Sequence, residues 1–140
     1  MTTQTHSAQE TQKIGEGIGK KIKNGGIICL YGELGAGKTT LAQGIARGLG
    51  IKQNVLSPTF ILMRRYNLNN RFFYHIDLYR LNDLEEIKGL GIEEIIGDPK
   101  NIVLIEWPEK IASLLPRRRW EIKMETVSEN GRKIEVNELK

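Results

Sequence analysis

Apolar positions along this chain follow two rhythms, and the points where one replaces the other mark its elements. Ile14, Ile18 and Ile22 recur every fourth residue between Ser7 and Lys23, and Asn24-Gly25-Gly26 follows, which predicts an amphipathic helix with a glycine exit. The unbroken run Ile27 to Tyr31 predicts a buried strand. After a glycine-rich loop, Leu41, Ala42, Ile45, Ala46 and Leu49 return to helical spacing as far as Gly48 and Gly50. FILMRRYN and RFFYHID are β-rich runs separated by Leu68-Asn69-Asn70, which predicts a hairpin whose second strand closes at Asp77. Asn82 or Asp83 can cap a helix through LEEIK; Gly89 and Gly91 break it, and IEEII adds a turn or two before Asp98-Pro99. IVLIE reads as another strand ending at Glu106, and Pro108 suits the first turn of a short helix ending near Pro116. WEIKMET alternates apolar and polar residues, and with Asn130-Gly131 and RKIEV it predicts a C-terminal hairpin.

A strand, the glycine-rich loop GELGAGKT and then a helix predict an α/β fold, a P-loop NTPase-like three-layer sandwich. Its mainly parallel core sheet lies between helices, and the two hairpins add antiparallel strands at the margins. At 140 residues, the chain is expected to form a single domain over residues 1–140. Hydrophobic residues at 39% and charged residues at 27% describe an ordinary globular core, which excludes global disorder. No apolar stretch approaches the roughly 20 residues of a membrane helix, and MTTQTHSAQE has neither the basic nor the apolar region of a secretory signal. A cytoplasmic location without membrane association is expected. Lone Cys29 reads as a buried core thiol with no disulfide or thiolate metal site open to it. The net charge of +4 admits a nucleic-acid or nucleoprotein partner but does not require one.

Chemistry enters with Gly32, Gly37, Lys38 and Thr39, which fit G-x-x-x-x-G-K-S/T after a predicted strand and at the opening of a predicted helix. Glycines let successive backbone N–H groups point inward, where they and the helix N-terminus hold anionic oxygens. The candidate nucleotide shell is therefore Gly32, Glu33, Leu34, Gly35, Ala36, Gly37, Lys38, Thr39 and Thr40. Lys38 is placed to reach the β and γ phosphates, and the Thr39 hydroxyl to ligate Mg²⁺. Mg²⁺ takes one or two carboxylates beside phosphates, and Asp77 and Glu106 each end an apolar strand where α/β sheets place their ligands. Which acid touches metal and which orients water stays open at this level. Trp107 reads equally as a packing anchor and as a ring over the nucleotide. His75 reads as a packed neutral histidine, and Arg64, Arg65 and the run Arg117 to Arg119 read as solvated charges.

Taken together and in order, GELGAGKTT, the Ser57-Pro58-Thr59 of LSPTF, HIDLYR from His75 to Arg80 and IEWPE from Ile105 to Glu109 resemble the bacterial TsaE (YjeE) family. The resemblance runs from about Ser7 to the C-terminal hairpin. It implies a small Mg²⁺-dependent ATPase required, with TsaD and TsaB, to make threonylcarbamoyladenosine in tRNAs that read codons beginning with A. Such a protein hydrolyses ATP weakly alone and sustains turnover of the TsaD–TsaB complex, meeting tRNA only through that complex. By motif, Lys38 and Thr39 take the phosphate and Mg²⁺ roles, Glu106 resembles the second magnesium ligand, and Asp77 the other essential acid. Thr59 stands at the position of a switch-like threonine. Adenine contacts implied by the family fall on Ser7 or Thr11 and on Gly131 or Arg132. Phe60 replaces a tyrosine that is also common there, with no functional consequence expected.

Two other functions are compatible with the loop. A small-molecule kinase uses the same phosphate cradle, but little of the chain is left for an acceptor pocket and an arginine-bearing lid. A nucleotide-gated RNA-binding module would bind bare tRNA in a strongly salt-dependent way. GTP use is disfavoured because no Asn-Lys-x-Asp guanine reader is present.

Overall fold

A strand apolar on both sides belongs in the middle of a sheet covered on both faces. In the computed structural model, which describes residues 1–52 and 62–140, Gly26–Tyr31 (β2) takes that place, with Ile27 to Leu30 buried. The seven strands follow the spatial order β1 (Thr2–Thr5), β7 (Arg132–Leu139), β6 (Arg119–Thr126), β2, β5 (Ile102–Glu106), β4 (Arg71–Asp77) and β3 (Met63–Leu68). β6, β2, β5 and β4 form the parallel centre, while the pairings of β7 with β6, β1 with β7 and β3 with β4 are antiparallel. The expected parallel core with hairpin margins is what the sheet contains. Ser57 to Thr59, named above by motif, lie outside the described residues.

The sequence pattern gives no sign of β1. Thr-Thr-Gln-Thr has no apolar alternation, and its strand is made by edge pairing alone, from Thr2 opposite Glu135 to Thr5 opposite Arg132. The Met1 ammonium donates to the Val136 carbonyl at 2.9 Å beside it.

One face of the sheet is covered by α1 (Ala8–Ile22) and α2 (Lys38–Gly48), which bury Ile18, Ile22, Leu41 and Ile45 against Ile28, Leu30, Phe73 and Leu104. Ser7 caps α1, its Oγ accepting from the Glu10 N–H at 3.1 Å. The two helices touch backbone to backbone. A Cβ added at Gly44 would stand 2.2 Å from the Gln12 carbonyl oxygen, and one at Gly19 would stand 2.3 Å from that of Ile45. The opposite face is covered by α3 (Leu84–Lys88), α4 (Ile92–Gly97) and a 3-10 helix over Pro108–Leu114, which bury Ile87, Ile92 and Ile111 on Cys29, Ile76, Val103 and Ile105. Asp83 is the α3 cap, accepting from the Glu85 N–H at 2.9 Å. These layers place the carboxyl ends of β2, β4 and β5 side by side beneath the start of α2, which is where the site forms.

Candidate active site

The chain leaves β2 at Tyr31 and enters α2 at Lys38 through a turn closed by the Ala36 N–H on the Glu33 carbonyl at 3.1 Å. Gly37, the residue before the helix, has φ of 90°, a conformation that an L side chain rarely adopts. No side chain caps the helix there, so the N–H groups of its first turn remain available to an anion. Two carbonyls of the loop are held by Arg132. Arg132 Nε donates to the Ala36 oxygen at 3.0 Å and Nη2 to that of Gly35 at 3.4 Å. Its Nη1 donates to Ser128, Glu129 and Gly131 oxygens in the turn between β6 and β7. One guanidinium thus fastens the C-terminal hairpin to the loop.

Lys38 is only 6% exposed, and a buried ammonium needs partners. Nζ donates to the Gly32 carbonyl at 2.7 Å, lies 3.8 Å from Glu106 Oε1 and sits 4.5 Å from the centre of the Trp107 ring. Thr39 and Thr40 follow in the first turn of α2.

Asp77 and Glu106 are register partners in the β4–β5 ladder, each 4% exposed. Two acids from distant parts of the sequence therefore stand about 5 Å apart at the backbone, the spacing of adjacent strands. Asp77 Oδ1 accepts from the Tyr79 N–H at 2.9 Å, which shapes the chain as it leaves β4. Glu106 Oε2 meets His75 Nε2 at 2.6 Å; with Oε1 toward Lys38, the carboxylate has both oxygens engaged. Trp107, the next residue, is left-handed with φ of 60°, and its ring lies 5.1 Å from that of Tyr79. Lys110 Nζ donates to the Tyr79 and Leu81 carbonyls, tying the 3-10 helix to the segment after β4.

The residues that the family resemblance names for adenine come together. Ser7, Thr11 and Arg132 line a small cleft of about 100 Å³ with Gly37, Thr40 and Asn130, beside the start of α2. Thr11 Oγ1 shares a buried 2.8 Å hydrogen bond with Thr5 Oγ1 from β1. Gly131 sits in the adjoining turn, where an added Cβ would stand 2.4 Å from Ser128 Oγ. Glu33, Leu34 and Gly35 form the exposed crest of the loop. Thr59 lies outside the described residues.

At the foot of the loop, burial pushes the Tyr31 hydroxyl up to about 12, and its hydrogen bond to Glu121 Oε2 at 3.2 Å acts in the same direction. Cys29, fully buried two residues earlier, is raised from 9.0 to about 12 mainly by burial and keeps its thiol neutral. Arg119 pairs at 2.9 Å with the same Glu121 Oε2 that Tyr31 bonds, while Arg117 and Arg118 are exposed. Among the described residues no helix is long and apolar enough to cross a membrane. Nor do any three His, Cys, Asp or Glu side chains there form a metal cluster.

Sequence reasoning missed two participants. His75 was read only as a core residue, although i, i+2 alternation along β4 puts it on the face of Asp77. The loop-holding role of Arg132 carried no local signal.

Comparison with known proteins matches this arrangement to one family. The profile described as "Threonylcarbamoyl adenosine biosynthesis protein TsaE" covers residues 5–134. The chain is 36% identical over 132 residues to the tRNA threonylcarbamoyladenosine biosynthesis protein TsaE of Treponema pallidum, covering 94% of this chain and 96% of that one. It is 37% identical over 130 residues to the Bacillus subtilis protein of the same description, with 93% and 80% covered. A crystal structure of Bacillus subtilis YdiB superposes with a TM-score of 0.82 at 30% identity, over 100% of this chain and 86% of the other. The chain is thus a P-loop fold and belongs to the family of threonylcarbamoyl adenosine biosynthesis protein TsaE.

Proposed function

We propose that this chain is a Mg²⁺-dependent ATPase of the cytoplasm, acting with TsaD and TsaB in tRNA threonylcarbamoyladenosine biosynthesis. tRNA is met through that complex rather than gripped directly. The observation that carries the reading is the buried Lys38 at the mouth of an uncapped helix, facing Glu106, whose register partner is Asp77. A phosphate chain replaces the Gly32 carbonyl as partner of the ammonium, and the free N–H groups of the loop receive the remaining oxygens. The site also fits magnesium. Mg²⁺ keeps several waters and takes one or two carboxylates beside phosphate, and the buried Glu106 carboxylate with the Thr39 hydroxyl at the start of α2 is a donor set of that kind. Thr39 and Glu106 would hold the ion, which supplies charge neutralisation on the phosphates when bound. Asp77 serves the chemical step by orienting water or a switch segment that includes Thr59, and Ser7, Thr11, Gly131, Arg132 and Trp107 surround the rest of the nucleotide.

Turnover is expected to be slow in the isolated chain and stimulated by TsaD and TsaB. Steady-state ATP hydrolysis measured with and without TsaD–TsaB tests this; equal rates would refute it. Lys38→Ala removes a charge that contacts ground and transition states alike, so both ATP binding and hydrolysis should fall. Asp77→Asn should keep nucleotide affinity by calorimetry and fail in multiple-turnover tRNA modification. Loss of binding as severe as that of Lys38→Ala would instead move Asp77 into the binding shell.

A further inference from the structure

Beyond the loop and its two acids, one buried polar side chain points into the site without a place in the function above. His75 is fully buried on β4, and its Nε2 lies 2.6 Å from Glu106 Oε2, a short contact even for a hydrogen bond to a carboxylate. The partner oxygen, Oε1, is the one that faces Lys38 and the loop. An unrestrained glutamate has three side-chain torsions to lose, so holding Oε2 aims Oε1 before any ligand arrives. Glu106 sits between Leu30 of β2 and Asp77 of β4 in the ladder, and among the described residues His75 is the side chain that bonds Oε2.

The far side of the imidazole points the same way. His75 Nδ1 and Arg64 Nε are the two buried side-chain nitrogens without a hydrogen-bond partner among the described residues. Arg64 and His75 are directly opposed in the β3–β4 ladder, so they share a face of the sheet. An arginine Nε–H can only donate. With no acceptor bonded to Nδ1 among the described residues and an acceptor-only carboxylate at Nε2, the His75 proton belongs on Nε2.

We infer that His75 is a positioning residue for Glu106: its Nε2–H fixes one carboxylate oxygen so that the other is presented to the metal of a bound nucleotide. The inference rests on the reading of Glu106 as a magnesium ligand. Outer-shell partners of this kind are worth about ten- to a hundredfold in metal affinity.

ADP affinity measured by calorimetry in excess Mg²⁺ and in EDTA gives a ratio that isolates the metal's share. His75→Phe should lower that ratio about ten- to a hundredfold while leaving affinity in EDTA unchanged. His75→Gln, which keeps an N–H donor, should restore most of it. A parent ratio near unity would overturn the metal reading and this inference together. A clear parent ratio kept in full by folded His75→Phe would overturn this inference alone. Nitrogen NMR of the unsubstituted protein needs no variant. A proton on Nε2 of His75, retained when Mg²⁺ and ADP are added, is expected; the Nδ1–H tautomer would refute the assignment.

Discussion

Gly44→Ala is the substitution in which close packing and helix propensity most directly oppose each other. An added methyl there would stand 2.2 Å from the Gln12 carbonyl oxygen and 2.9 Å from its carbon, both backbone atoms that cannot rotate aside. That is roughly 1 Å inside the closest comfortable approach, so α1 and α2 must separate by about that distance along their shared seam. Overpacking of this sort costs about 1–3 kcal/mol, and the better helix propensity of alanine returns about 1 kcal/mol. The net expectation is a loss of up to about 2 kcal/mol, or a melting temperature lower by up to roughly 7 °C for a domain of this size. Gly17, exposed on α1 with nothing within 4 Å of its added Cβ, supplies the control. Gly17→Ala should gain up to about 1 kcal/mol from propensity alone. Thermal and urea unfolding of the two variants beside the parent measure the difference. If Gly44→Ala stabilises as Gly17→Ala does, the seam is not tightly packed and the reasoning fails. A second readout comes from the site, since α2 carries Lys38 at its start: nucleotide affinity should fall in Gly44→Ala and stay level in Gly17→Ala.

Arg132→Ala releases the Gly35 and Ala36 carbonyls and should weaken nucleotide binding about tenfold or more, since charge-assisted hydrogen bonds contribute about 1.5–3 kcal/mol. Arg132→Lys should recover little of this, because one ammonium cannot span loop and hairpin as the fork does; full recovery in calorimetry would mean that charge alone matters. Cys29 should resist alkylation in the folded protein and react only on unfolding, because its thiol is neutral and fully buried. Folding favours the protonated forms of Cys29 and Tyr31, whose ordinary values are 9.0 and 10.0, so their contribution is complete below pH 9 and is lost as pH rises toward 12. Urea midpoints that do not fall above pH 9 would contradict that linkage.

What the sequence disclosed is what local chemistry compels. The loop was legible because G-x-x-x-x-G-K-T fixes backbone shape, and Gly37 indeed carries the left-handed angle that the motif requires. Asp77 and Glu106 were legible as acids that end apolar runs. Their adjacency was not, because it depends on β4 pairing with β5, a lateral register that no local pattern encodes. The same blindness hid the bond of His75 to Glu106, although burial of His75 was expected and is found. β1 escaped because a four-residue polar edge strand owes its form to its neighbour. The close seam of α1 and α2 through Gly19 and Gly44 was not legible either, because it depends on which backbones meet.

The pairing of β1 with β7 bears on how the site is assembled in time. Met1 and Val136, joined by a hydrogen bond, are 135 positions apart, and closing so long a loop loses chain entropy that only late contacts offset. β1 leads directly into Ser7 and Thr11, and β7 begins at Arg132, so both walls of the small cleft beside the loop hang from this one ladder. The phosphate loop, drawn from consecutive residues between β2 and α2, can take shape early and locally. The cleft beside it is a product of the last closure. Any event that peels β1 from the sheet edge, such as fraying, clipping or a bulky fusion at that strand, opens the cleft while sparing the cradle. Under the proposed function, loss of β1 pairing should weaken recognition of the base before retention of the phosphates.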